Sequence, residues 1–209
     1  IPSDKTGDFK YYKEIDTIKT SEGEYLATLT AYDFNVPFSG HTTGGTLTAL
    51  YSKKKGPMIM GSVTNYVLVE PTNMQQVKDI AHHRSLVPRL ACEKDGKTYA
   101  TSFYEYATEI RDEKKKSVTY TSGLSTYGNK ETLENCAPRL TYTLTENGMN
   151  VFIEGAEGLK FILPLIAGEI DLQIGRIEQE EEIFFLTGGF VANEMTIIPE
   201  NGKIKLRIY

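Results

Sequence analysis

The sequence has no tryptophan, only three histidines and only two cysteines in 209 residues, and each scarcity excludes something. Two cysteines, Cys92 and Cys136, make neither a disulfide framework nor a zinc site, so both are expected as unbridged, largely buried thiols. A three-histidine metal centre would need all of His41, His82 and His83, and on a strand the adjacent pair would point to opposite faces. No metal and no cofactor is expected on these grounds. Positive charge is not in excess: 23 Lys and Arg stand against 28 Asp and Glu, a net charge of −5, without the basic footprint of a nucleic-acid binder. No apolar run approaches the roughly 18 residues of a membrane span; the longest, 161–167, is strand-sized and contains Pro164. There is no Gly-x-Ser-x-Gly elbow and no phosphate loop, and Gly188-Gly189 sits between strands rather than ahead of a helix. The chain opens on Ile1-Pro2-Ser3-Asp4 without methionine, and a part of a longer chain is expected.

What the chain has in quantity is strand chemistry. Thirteen tyrosines, nine phenylalanines and many threonines suit pleated surfaces. From Arg139 to Thr145, Leu140, Tyr142 and Leu144 fall on one side and threonines on the other. Asn147-Gly148 follows, then a second apolar run, and an Asn-Gly pair between two such runs is the signature of a type I′ hairpin. Asn201-Gly202 and Asp95-Gly96 repeat the device. These patterns predict an all-β chain: a large antiparallel β-sandwich of many hairpin-connected strands, 1–209 as a single domain, with at most one short helix. That helix is placed at 73–83, where Met74, Val77, Lys78 and Ala81 recur at helical spacing after Pro71. Residues 122–135 read as a long polar loop dividing two groups of hairpins. Glu178, Glu180, Glu181 and Glu182 alternate over two faces and read as a solvated edge.

One loop stands out chemically. Phe38-Ser39-Gly40-His41-Thr42-Thr43-Gly44-Gly45 carries a histidine among small residues and runs straight into an alternating strand. Glycines at the start of a strand allow close approach of another backbone or of a ligand, and a histidine there can transfer protons. Tyr51, Tyr66, Tyr104, Tyr106, Tyr120 and Tyr127 are the rings that could stack on a sugar, and Arg84 and Arg89 could hold a carboxylate in bidentate fashion. Taken alone, these features equally describe a glycine-rich turn, cross-strand aromatic packing and surface arginines.

The run Gly40-His41-Thr42-Thr43-Gly44-Gly45-Thr46-Leu47-Thr48-Ala49-Leu50-Tyr51, followed by Gly56-Pro57-Met58-Ile59-Met60, resembles the C-terminal β-sandwich domain of the heparinase II/III-like polysaccharide lyases. In that family a His-Gly-His-Ala-Asp loop runs into such a strand. Here only the first histidine matches, as His41; Thr43 stands at the second histidine and Gly45 at the aspartate. A Leu163-Pro164 strand and a closing hairpin at Asn201-Gly202 also fit the resemblance.

The resemblance implies an accessory domain that packs on an N-terminal catalytic toroid of the parent chain and forms one wall of a glycan groove. The implied partner is a uronate-containing polysaccharide, with His41, the one residue the resemblance carries over, taking part in catalysis; Arg84, Arg89 and Tyr66 are candidates for substrate binding on their own chemistry. The implied compartment is periplasmic or extracellular. The chain alone is expected to be inactive, since elimination needs several positioned groups and only one can be carried over. The competing expectation is a non-catalytic carbohydrate-binding or structural interaction domain.

Overall fold

The computed structural model describes residues 7–31, 44–61, 86–104, 106–126, 130–183 and 191–209, and the backbone alone of 66–69, 74–77, 184–185 and 190. In chain order the strands are β1 (Phe9–Tyr12), β2 (Thr17–Glu22), β3 (Tyr25–Thr30), β4 (Thr46–Ser52), β5 (Gly56–Met60), β6 (Tyr66–Val69), β7 (Met74–Val77), β8 (Arg89–Lys94) and β9 (Lys97–Ala100). They continue with β10 (Thr108–Asp112), β11 (Ser117–Thr121), β12 (Arg139–Thr145), β13 (Gly148–Glu154), β14 (Lys160–Leu165), β15 (Ile170–Ile174), β16 (Arg176–Phe185), β17 (Phe190–Ile198) and β18 (Ile204–Ile208). Among the described residues they form three large sheets, in the orders β1-β2-β3-β4-β5, β10-β11-β12-β13-β18-β15 and β16-β17-β14-β8-β9, plus the hairpin β6-β7. The ladders are antiparallel, as expected of a hairpin-built β-sandwich.

The alternation read from the sequence sets the faces. Leu140, Tyr142 and Leu144 on β12 are buried, while Thr141 and Thr143 turn outward and bond to the hydroxyls of Thr119 and Ser117 at 2.9 and 2.8 Å. Each buried leucine contributes roughly 1.5–3 kcal/mol. One apolar core runs through all three sheets, from Ile18 and Leu50 through Tyr142 and Leu206 to Phe161 and Ile197. β2 and β3 lie over β12, which stacks the first sheet on the second. The third sheet joins at β14, where the Ile166 N–H donates to the Met58 carbonyl at 2.8 Å.

Two of the three expected turns take the anticipated form: Asp95 and Gly96 have φ of 53° and 70°, Asn201 and Gly202 have 49° and 69°. The third differs. β12 and β13 close with Thr145 opposite Gly148, so the turn centres on Glu146 and Asn147. Gly148 is instead the first strand residue, where a Cβ would sit 2.1 Å from the Ile208 carbonyl oxygen. Its lack of a side chain serves strand approach rather than the turn.

The helix expected over 73–83 is corrected in its first part: Met74–Val77 is strand β7, paired with β6 from Val69↔Met74 to Tyr66↔Val77. Cross-strand pairing there overrides a weak helical spacing; the rest of that stretch lies outside the described residues. The loop at 122–135 is not a surface divider. Ser122, Leu124 and Ser125 are buried, and Ser125 exchanges backbone hydrogen bonds with Ala100 at 2.9 and 3.1 Å, stapling β9 to the loop. Cys92 and Cys136 are free but half-buried, packed against the main core. Burial pushes both thiols up, which keeps them protonated and unreactive near neutrality.

Candidate functional site

The chain reaches β4 through Gly44-Gly45-Thr46, at φ of 78° and 75° for the two glycines. There is no room for side chains. A Cβ on Gly44 would lie 1.8 Å from the Thr101 carbonyl oxygen, and one on Gly45 would lie 2.2 Å from the Tyr120 ring. Next along, the Thr46 hydroxyl donates to the Pro88 carbonyl at 2.8 Å in a buried bond. Pro88 leads directly into β8, whose Leu90 N–H donates to the Thr101 hydroxyl at 3.1 Å. Thr101 opens a single 3-10 turn after β9, closed by the Tyr104 N–H onto the Thr101 carbonyl at 3.0 Å. The Tyr104 ring in turn rests on Gly123, just past β11. Four strand ends therefore meet at one corner: the starts of β4 and β8, and the ends of β9 and β11.

Behind this corner sits a buried ion pair. Arg89, at the start of β8, reaches past β14 to Glu194 on β17, its Nη1 and Nη2 donating to Glu194 Oε2 at 3.4 and 3.3 Å. Nη1 also donates to the Val87 carbonyl at 3.2 Å. The two side chains are only 8% and 6% exposed, so this arginine is an internal brace engaged with a protein carboxylate. The remaining candidates are placed less fully. His41, Arg84, His82, His83 and Tyr127 lie outside the described residues, and of Tyr66 only the backbone, in β6, is described. Of the other tyrosines, Tyr120 is fully buried in the core, Tyr51 is partly exposed on β4, and Tyr104 and Tyr106 stand together at the corner. Sequence reasoning grouped these rings without separating them, because exposure depends on which strand ends meet.

Beneath the corner is a polar cluster. Glu109 and Tyr120 are cross-strand partners, Arg111 Nε contacts Glu109 Oε1 at 3.2 Å, and the Arg111 guanidinium lies 3.6 Å from the Tyr11 ring centroid. The Tyr11 hydroxyl donates to Asp16 Oδ1 at 2.8 Å. Burial above all, then Asp16, pushes the Glu109 carboxyl up, and Arg111 offsets part of this. Burial and the nearby Glu109 likewise hold the Tyr120 phenol well above its usual range, so it is neutral at physiological pH.

A carboxyl whose folded pKa lies above its unfolded value of 4.5 carries no penalty below that value, and stability is lost as pH rises through the folded pKa. Glu109→Gln should therefore raise the melting temperature at pH 7 by roughly 2–4 °C, about 1 kcal/mol, and the gain should vanish below about pH 4. Thermal denaturation across pH checks this; a variant less stable than the parent at pH 7 would contradict it.

Among the described residues no three His, Cys, Asp or Glu side chains come together in a way that could hold a metal ion. A depression of about 630 Å³ lies elsewhere, lined by residues that include Ile177 and Val191 together with Glu169, Glu180 and Glu182. It shares no residue with the corner, and its charge would repel a polyanion.

The described residues form a hairpin-built antiparallel β-sandwich domain in which four strand ends gather around the glycine-led start of β4. The comparison with known families identifies it: residues 9–180 match the ulvan lyase C-terminal domain, and the chain belongs to that family of polysaccharide lyase C-terminal domains. It is similar to a broad-specificity ulvan lyase of Formosa agariphila, with 26% identity over 222 residues covering all of this chain. The chain spans 33% of the length of that relative.

Proposed function

We propose that this chain is the C-terminal part of an extracellular lyase that cleaves a uronate-containing polysaccharide of the ulvan type, and that its corner forms one wall of the glycan groove. The observation that carries this reading is the buried Thr46–Pro88 hydrogen bond. It ties together the ends of two stretches, one carrying His41 and the other His82, His83 and Arg84. The heparinase II/III-like resemblance of the His41 run supports the same placement, with the rest of the groove supplied by an N-terminal catalytic toroid.

β-Elimination beside a uronate needs a base for the proton next to the carboxylate, neutralisation of that carboxylate and an acid for the leaving oxygen. In this reading His41 takes part in the proton transfers and Arg84 faces the carboxylate. Arg89 acts through position, holding the start of β8, and Tyr66 remains a candidate substrate contact. One or two such groups do not make an active site, so the isolated chain should release no unsaturated product from ulvan. In the whole lyase, His41→Ala should lower kcat by about 10²–10⁴ with the melting temperature unchanged. Ultraviolet absorbance of the unsaturated product reads both. Full activity of the His41→Ala enzyme would remove this residue from the chemistry, and turnover by the chain alone would overturn the accessory role.

A further inference from the structure

Tyr106 has the most exposed aromatic ring among the described residues, at 67%. An aromatic side chain this exposed is normally loose, and this one is held. It meets Tyr104 edge to face, with ring centroids 5.9 Å apart and planes at 81°. Tyr104 is itself seated: a Cβ on Gly123 would fall 2.6, 2.8 and 2.9 Å from three atoms of its ring, so the ring lies directly on a residue that has no side chain. The backbone of Tyr104 is tied to the Thr101 carbonyl, the same oxygen that Gly44 abuts. A chain of close contacts thus runs from the glycine that ends the His41 loop to an exposed, oriented ring.

We propose that Tyr106, buttressed by Tyr104 on Gly123, is a stacking platform for a pyranose ring of the polysaccharide that passes this corner. The inference rests on the glycan-wall reading above and adds to it a binding residue and its mode. A sugar ring presents a flat patch of C–H groups on one face while its hydroxyls and carboxylate stay hydrated at the rim. A planar, uncharged aromatic ring complements that patch and leaves the polar rim in water. Holding the ring in advance lowers the ordering cost of binding, which is what the Gly123–Tyr104 seat supplies. Among the described residues the ring is one of the few exposed aromatic side chains, and Thr108 beside it on β10 is exposed and polar.

The absence of tryptophan makes the test clean, because Tyr106→Trp installs the sole indole in the chain. Titrating that variant with soluble ulvan oligosaccharides should give a saturable change in tryptophan emission. In affinity electrophoresis through ulvan-containing gels, Tyr106→Ala should weaken retardation about fivefold, and Gly123→Ala, which unseats Tyr104, should weaken it in the same direction. Tyr106→Ala should leave the melting temperature nearly unchanged, as for a surface substitution. Equal retardation of the parent and Tyr106→Ala would overturn the platform while leaving the glycan wall standing. No retardation of the parent at any ulvan concentration would overturn both. An emission change on adding the rest of the lyase, with none on adding glycan, would make the ring a protein contact and overturn the platform.

Discussion

Replacing Gly45 with alanine is expected to destabilise the chain by on the order of 2–5 kcal/mol. Two costs combine. At φ of 75° an L side chain is strained, a penalty of about 1–2 kcal/mol. The new Cβ would also fall 2.2 Å from the Tyr120 ring, which is fully buried and stacked edge-on against Tyr142 at 6.3 Å, so the ring has little room to retreat. Overpacking of such a site costs roughly 1–3 kcal/mol more. Gly96→Ala provides the internal control: its φ is 70° but nothing lies within 4 Å of the added carbon, so only the backbone cost of about 1 kcal/mol remains. Urea denaturation of the two variants separates the terms. Equal losses in both would mean that the Tyr120 contact does not constrain the corner.

Breaking the ion pair behind the corner is the other large effect. Glu194→Gln leaves Arg89 charged in a site where the pair is less than a tenth exposed. Removing one partner of a buried pair typically costs about 3–5 kcal/mol, or a fall of roughly 6–20 °C in melting temperature at this chain length. Arg89→Met should cost a similar amount. The double variant Arg89→Met, Glu194→Leu should recover most of the loss, because an apolar pair carries no desolvation penalty. If each single variant unfolds within 0.5 kcal/mol of the parent, the pair is not an internal brace.

Local patterns carried most of the architecture. The threonine–apolar alternation of β12 and the Asn201-Gly202 turn depend on neighbours in sequence, and both appear as read. The Gly44-Gly45 start of β4 was legible as a place of close approach, though what approaches, Thr101 and Tyr120, is set by tertiary structure. Distant partners decided the rest. Arg89 finds a carboxylate 105 positions away on β17, which no spacing rule reaches. Gly148 is claimed by the carbonyl of Ile208 rather than by its own turn. β7 was mistaken for helix because four residues fit either period until a pairing strand is known. Tyr104 and Tyr106 could not be told from core tyrosines, since their exposure follows from Gly123 lying under one of them.

The most direct test of the glycan-facing corner is amide chemical-shift mapping on the isotope-labelled chain during titration with soluble ulvan oligosaccharides. The expected result is a single cluster of perturbed amides at 44–46, 86–89, 101–106 and 122–125. Perturbations gathered instead around Glu169, Glu180 and Glu182, or spread over the outer threonine faces of the sheets, would contradict the placement of the groove.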